Sequence, residues 1–123
     1  MEFLNNQPIY LQIADTLCEN ILRKEWKEED RIPSVRDLAV QFEVNPNTVQ
    51  RTYSWLQEKD IISNKRGIGY FVAKGAFKRT LNMRKTDFVD QTCPRIFQTL
   101  ELLNIRFQDL KTIHEKWKLS NKK

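Results

Sequence analysis

Arg31-Ile32-Pro33-Ser34-Val35-Arg36-Asp37-Leu38-Ala39, followed by Val44-Asn45-Pro46-Asn47-Thr48-Val49-Gln50-Arg51-Thr52-Tyr53, reads as two short helices joined by a tight turn. The second helix opens on polar residues. That is the pattern of a helix-turn-helix, whose second helix enters the major groove of DNA. Each helix start carries a chemical signal of its own. Ser34 can accept a bond from the first unpaired backbone N–H groups, and Asp37, three residues on, can return one. This is a capping box with Asp in place of Glu. Asn45 can cap the second helix, and Pro46 suits its first turn, where the missing N–H costs nothing.

Outward from this stretch the periodicities extend the picture. A first helix is expected from about Pro8 to Lys24. Ile9, Ile13, Leu17 and Ile21 form its four-residue ridge, with Tyr10, Ala14 and Leu22 beside it. Glu25 to Arg31 is a charged connector around Trp26, which is expected to fold back as a lid on the core. The second helix, about Val35 to Phe42, buries Val35, Leu38, Ala39 and Phe42. The third, about Pro46 to Lys59, turns Val49, Tyr53 and Leu56 inward, with Thr52 near the border. That leaves Asn47, Thr48, Gln50, Arg51 and Ser54 outside. Tyr53 reads better as core than as a DNA contact. Ile61-Ile62-Ser63-Asn64 and Gly69-Tyr70-Phe71-Val72 have strand-favouring composition and flank Lys65-Arg66-Gly67-Ile68, a tight basic tip. The expected fold is therefore mainly α with a small β-hairpin wing: a winged helix-turn-helix followed by a short all-α region.

Gly75 marks the expected boundary, with a reading domain over 1–75 and a helical region over 76–123. In the latter, one helical stretch runs from about Phe77 to Thr92 and Pro94 interrupts it by removing an N–H. Segments Arg95–Leu103 and Phe107–Leu119 follow, with Asn104 as a stop and Asn121-Lys122-Lys123 fraying. Phe88, Ile96, Phe97, Leu100, Leu103, Leu110, Ile113 and Trp117 are too many large apolar residues for short helices to bury alone. One reading packs them back on the winged domain. The preferred one pairs them across a dimer axis, because readers of this kind commonly work as two-fold dimers on a palindrome.

Composition bounds the remaining readings. A chain of 123 residues with 40% hydrophobic and 30% charged residues holds one domain, or one with a small appendage. It has no apolar run near the 18 residues of a membrane helix. Met1–Gln7 lacks the basic and apolar regions of a secretion signal, so a cytoplasmic location is expected. Cys18 and Cys93 are far apart and read as reduced thiols at partly buried sites. His114, the one histidine, has no clustered cysteines, so neither a metal nor a cofactor is expected. No catalytic carboxylate pair, nucleophile with His, or phosphate-binding glycine loop is apparent, which argues against an enzyme. The net charge of +5 is unevenly spread. Residues 1–75 carry ten Lys/Arg against eleven Asp/Glu, and residues 76–123 eleven against five. The local signal is stronger. Lys65, Arg66, Lys74, Lys78, Arg79, Arg84 and Lys85 fall within residues 61–86, which hold no acidic residue. Beside a helix-turn-helix, that run suits contact with phosphates.

Between Pro8 and Val72 the chain resembles the GntR family of bacterial transcription regulators. The marks are Pro8-Ile9-Tyr10-x-Gln12-Ile13, Pro33-Ser34-x-Arg36-x-Leu38-Ala39, Asn47-Thr48-Val49 with Tyr53 and Leu56, Ile61-Ile62, and Gly67-x-Gly69-x-Phe71-Val72. It departs from the usual pattern near Lys24-Glu25, near Asp30 and at Asp60, where members usually have Gly, at Ile32, usually Leu, and at Pro46, often Arg or another polar residue. A tail of 48 residues is too short for the large effector domains of the family. It resembles the YtrA subfamily, in which the tail mediates dimerisation and whose members resemble repressors set beside transporter operons.

The resemblance implies roles. Ser34 and Arg36 would face the DNA backbone, Arg36 on a phosphate, the competing reading being a pair with a nearby carboxylate. Asn47, Thr48, Gln50 and Arg51 would meet bases and phosphates in the major groove, Gln suiting adenine and Arg guanine. Lys65 and Arg66, beside Gly67, would reach the minor groove or its phosphates. The expected function is a homodimeric, sequence-specific regulator, a repressor on a palindromic operator in double-stranded DNA. A small-molecule effector is left open. The alternative is a winged-helix protein–protein module without specific DNA binding.

Overall fold

A computed structural model of the chain describes residues 7–122. Expectations placed on Met1–Asn6 (no secretion signal) and on Lys123 (a frayed end) lie outside them. The elements are α1 (Ile9–Leu22), α2 (Val35–Phe42), α3 (Pro46–Glu58), β1 (Ile62–Lys65), β2 (Gly69–Val72), α4 (Ala76–Asp87), a π-helical turn (Phe88–Thr92), α5 (Cys93–Leu102) and α6 (Phe107–Ser120). This is the expected mainly α fold with a hairpin wing. It divides into two compact units, one through Met83 and one from Arg84.

The first unit is a three-helix core with the hairpin attached. Ile13, Ala14, Leu17, Cys18 and Ile21 of α1 are buried with Leu38 and Ala39 of α2 and Val49, Tyr53 and Leu56 of α3. Ile32, Ile61, Ile62, Val72 and Ala76 complete the core, and Val35, Phe42 and the lid residue Trp26 pack against it half-buried. Compactness extends past Gly75 because α4 contributes: Ala76 and Thr80 are fully buried, and Phe77 and Met83 pack on the core. Thr52, expected near the border, is inside the protein. Its single hydroxyl proton is shared between Tyr10 O at 2.8 Å and Thr48 O at 3.1 Å, so a polar side chain is buried at little cost while tying α3 to α1. Tyr53 is core, as expected. Its ring meets Tyr70 edge-on at 4.8 Å, and its hydroxyl donates to Pro33 O at 2.6 Å.

The wing pairs β1 and β2 antiparallel, Ile62 opposite Val72 and Lys65 opposite Gly69. Ile68 N–H closes its turn on Lys65 O, and Gly67 takes a φ of 79° at the third position, where a type II turn requires glycine. A feature the periodicities did not reveal is a strip over residues 29–32 along the other edge of β2. Glu29 N–H donates to Val72 O, Val72 N–H to Asp30 O and Ile32 N–H to Tyr70 O, while Arg31 bridges Phe71. Pro33 holds the signal for it, since the residue before a proline is pushed toward extended backbone.

The second unit is helical, made of the end of α4, the π turn, α5 and α6. The interruption expected at Pro94 takes the form of a π turn just before it, not a break in the chain of helical bonds. The backbone widens into a π turn in which Cys93 N–H donates to Phe88 O, and the helix continues into α5. One wide turn absorbs both the missing N–H and the ring. Asn104, with φ 57°, provides the expected stop. α6 starts on a capping box in which Asp109 accepts from the backbone and side chain of Arg106. Those two bonds hold the Asp109 carboxyl below its usual range. Cys18 is buried, Cys93 is half-buried, and neither is in a disulfide.

Candidate nucleic-acid interface

The surface around α3 is built by its caps and its inner stripe. Asn45 Oδ1 accepts Asn47 N–H at 2.7 Å, with Pro46 in the first turn, so the helix begins sharply. Burial of Val49, Thr52, Tyr53 and Leu56 leaves Asn47, Gln50, Arg51 and Ser54 exposed, with Thr48 half-buried. Arg51 does not hang loose in solvent. Its guanidinium lies 4.1 Å from the centre of the Tyr10 ring, a cation–π contact onto α1.

At the start of α2, Ser34 Oγ accepts Asp37 N–H at 3.1 Å. Only that half of the expected capping box forms; the Asp37 carboxylate, one methylene shorter than Glu, makes no return bond. Ser34 and Arg36 are both exposed. Arg36 forms no ion pair with a described carboxylate, so the competing reading of it as a carboxylate partner is not met.

At the wing tip, Lys65, Arg66 and Gly67 are exposed, and Lys65 Nζ lies 4.4 Å from the Phe71 ring centre. A Cβ on Gly67 would meet nothing within 4 Å, so glycine is there for its backbone angle and leaves the tip narrow. Between the wing and the segment leading into α2 runs a cleft of about 320 Å³, lined among others by Arg31, Ser34, Asn64, Gly67 and Tyr70. Sequence reasoning missed Arg31, whose Nη2 donates to Ile68 O at 2.7 Å. Beneath this surface, burial pushes the Tyr53 phenol well above its ordinary range, with Tyr70 and Asp37 adding to the shift.

In the second unit, Phe88, Phe97, Leu103, Ile113 and Trp117 are exposed, and Ile96, Leu100 and Leu110 are half-buried. Trp117 is 60% exposed and stacks on His114, and Phe107, outside the expected apolar set, is 70% exposed. No residue from Arg84 to Lys122 is buried within one chain. No helix among the described residues is long and apolar enough to cross a membrane.

Comparison with known proteins agrees with this arrangement. The family model described as bacterial regulatory proteins, gntR family, matches residues 9–72. The chain is 48% identical over 75 residues to the uncharacterised HTH-type transcriptional regulator YhcF of Bacillus subtilis, a match spanning 61% of this chain and 62% of YhcF. It is 32% identical over 111 residues to the HTH-type transcriptional repressor YtrA of the same organism, covering 90% of this chain and 82% of YtrA. Among solved structures, a putative GntR-family regulator from Bacteroides thetaiotaomicron superposes with a TM-score of 0.72 at 43% identity, covering 89% of this chain and 96% of that one.

Proposed function

The chain belongs to the gntR family of bacterial regulatory proteins, and from that premise we propose that it is a cytoplasmic transcriptional repressor that binds a palindromic operator as a homodimer. The family is one of regulators, not enzymes. The observation that carries the reading is the exposure of polar and basic side chains at the first turns of α3, the start of α2 and the wing tip, where no basic residue is neutralised by an ion pair among the described residues. In this reading Asn47, Thr48, Gln50 and Arg51 enter the major groove. Gln50 and Arg51 have the chemistry for paired hydrogen bonds to adenine and guanine edges. Ser34 and Arg36 contact backbone phosphates, which orient the protein without reading sequence. Lys65 and Arg66 flank Gly67 at a tip narrow enough for the minor groove.

The likeness to YtrA, a repressor by name, runs through the tail as well as the reading domain, which supports repression, and the exposed apolar residues of the tail support dimerisation through it. The experiment is selection of duplexes from random DNA by the full chain, followed by titration at low and high salt. A palindromic consensus is expected, with affinity falling by roughly two orders of magnitude or more between ~50 and ~200 mM salt if several phosphates are neutralised. Equal affinity for all duplexes would sink the operator-reading role and favour the protein-binding alternative.

A further inference from the structure

Arg31 belongs to none of the DNA contacts proposed so far. It lies on the strip beside β2, yet its side chain runs to the far end of the hairpin. Nη2 donates to Ile68 O at 2.7 Å. The guanidinium also lies against the bare Cα of Gly69: a Cβ there would come within 3.1 Å of Nε and 3.3 Å of Nη2. A hairpin of two four-residue strands holds its own tip weakly. Here a side chain from 37 residues away ties the tip to the segment leading into α2.

This bond uses one of the five guanidinium donors. The side chain is exposed, and no carboxylate pairs with it among the described residues. It lines the cleft that separates the wing from Ser34, together with Asn64 and Tyr70. A cation with spare donors, in an open cleft that no acidic side chain lines, matches an oxyanion.

We propose that Arg31 is a further DNA-contacting residue, which holds the wing tip in place through Ile68 O and gives its remaining donors to a backbone phosphodiester in the cleft beside Ser34. The proposal rests on the DNA-binding reading above and adds a contact to it. One side chain then does two things. It sets where Lys65 and Arg66 are presented before DNA arrives, which lowers the ordering cost of binding, and it neutralises one phosphate. Lysine cannot do both, because a single ammonium lacks the fork that reaches two acceptors in one plane.

The test uses the full chain and the operator duplex that the wild-type chain selects. Arg31→Ala is expected to lose about tenfold in affinity. It should also reduce the slope of log K against log salt by about 1, the signature of one lost phosphate contact, and keep the base preferences read by α3. Arg31→Lys should restore the slope but not the full affinity. Should Arg31→Ala melt too low to titrate, Arg31→Gln takes its place, since it keeps a donor for Ile68 O and removes only the charge. The same fall in slope then supports the contact. Affinity and slope unchanged in these variants would overturn the proposal. So would an affinity loss with the slope intact, which leaves only the brace. A wild-type chain that selects no duplex overturns the DNA reading and this contact with it, whereas wild-type binding with an indifferent Arg31 overturns this contact alone.

Discussion

Glu29 sits in the left-handed region with φ 69°, a conformation that disfavours any side chain with a Cβ and is rare for a residue as long as glutamate. It is held there because its N–H closes onto Val72 O, which starts the strip beside β2. Lys24, at φ 63°, and Asp60, at φ 60°, are in the same state. All three lie at or next to places where gntR-type sequences usually carry glycine, so the loops keep their geometry and the chain bears the strain. Glu29→Gly is expected to raise stability by about 0.5–1 kcal/mol. Relief of roughly 1–2 kcal/mol of left-handed strain outweighs the extra entropy of an unfolded glycine. A denaturant melt in which Glu29→Gly is less stable than wild type would contradict this account. Tyr53 gives a residue-scale prediction with pH. Its buried phenol resists ionisation in the folded state, whereas the unfolded chain releases that proton near pH 10. Above about pH 10 the unfolded state therefore binds fewer protons, and stability falls as pH rises. Tyr53→Phe should cost about 1 kcal/mol at neutral pH through loss of the bond to Pro33 O. It should then lose less stability than wild type between pH 9 and 11, as followed by urea melts at each pH.

At the scale of elements, what could be read from sequence was what local chemistry determines. The starts of α2 and α3 were legible because Ser34 and Asn45 cap them through bonds spanning two or three residues. The tertiary partners were not. Thr52 looked like a border residue because a hydroxyl is polar, and its acceptor, Tyr10 O, lies on another helix. The strip over 29–32 was hidden because Glu29, Asp30 and Arg31 are charged and their partners lie about forty residues on. Pro94 was legible as an interruption because a regular α-helix cannot supply its geometry, but that a π turn would carry the helix through was not. The proposed division of labour between α3 and the wing is separable by mutation. Gln50→Ala and Arg51→Ala should each cost roughly 1–3 kcal/mol of binding and relax preference at defined base pairs. For Arg51 there is a second consequence, since its guanidinium is already placed on the Tyr10 ring. Tyr10→Leu should weaken the same base preference without touching DNA itself. Arg66→Ala should instead weaken all operators alike, or chiefly those with A·T-rich flanks if it enters a narrow minor groove. Sequence profiles of both α3 variants that match wild type would show that another face is the reader.

For the whole molecule, the imbalance between the two units matters most. The first unit buries a full core, and in the second no described residue is fully buried within one chain, while Phe88, Phe97, Phe107, Ile113 and Trp117 are exposed. Exposed rings on that scale cost solubility unless they are covered. A second copy offers the same surface across a two-fold axis and would bury them by self-complementarity. A palindromic operator imposes the matching requirement that two α3 helices sit about 34 Å apart, one turn of DNA. The proposed dimer thus answers both demands with one interface. The natural truncation point is Met83, not Gly75, because Ala76, Phe77, Thr80 and Met83 belong to the core of the first unit. A fragment ending at Met83 is expected to fold, to sediment as a monomer and to bind a half-site about as well as the full chain does. On the intact palindrome it should lose about two orders of magnitude, since the second half-site is no longer reached through an effective concentration. A fragment ending at Gly75 should melt at a clearly lower temperature, because it removes Ala76, Phe77, Thr80 and Met83 from the core they pack in. Leu100→Asp in the full chain should reproduce the monomer while leaving the first unit's melt unchanged, because it places an unpaired carboxylate in the interface. Sedimentation and titration on one labelled palindrome read the assembly and affinity outcomes, and thermal melts read the rest. A Met83 fragment that still dimerises, or that holds the palindrome as tightly as the full chain, would move the dimer contact to the first unit and leave the exposed tail for a different partner.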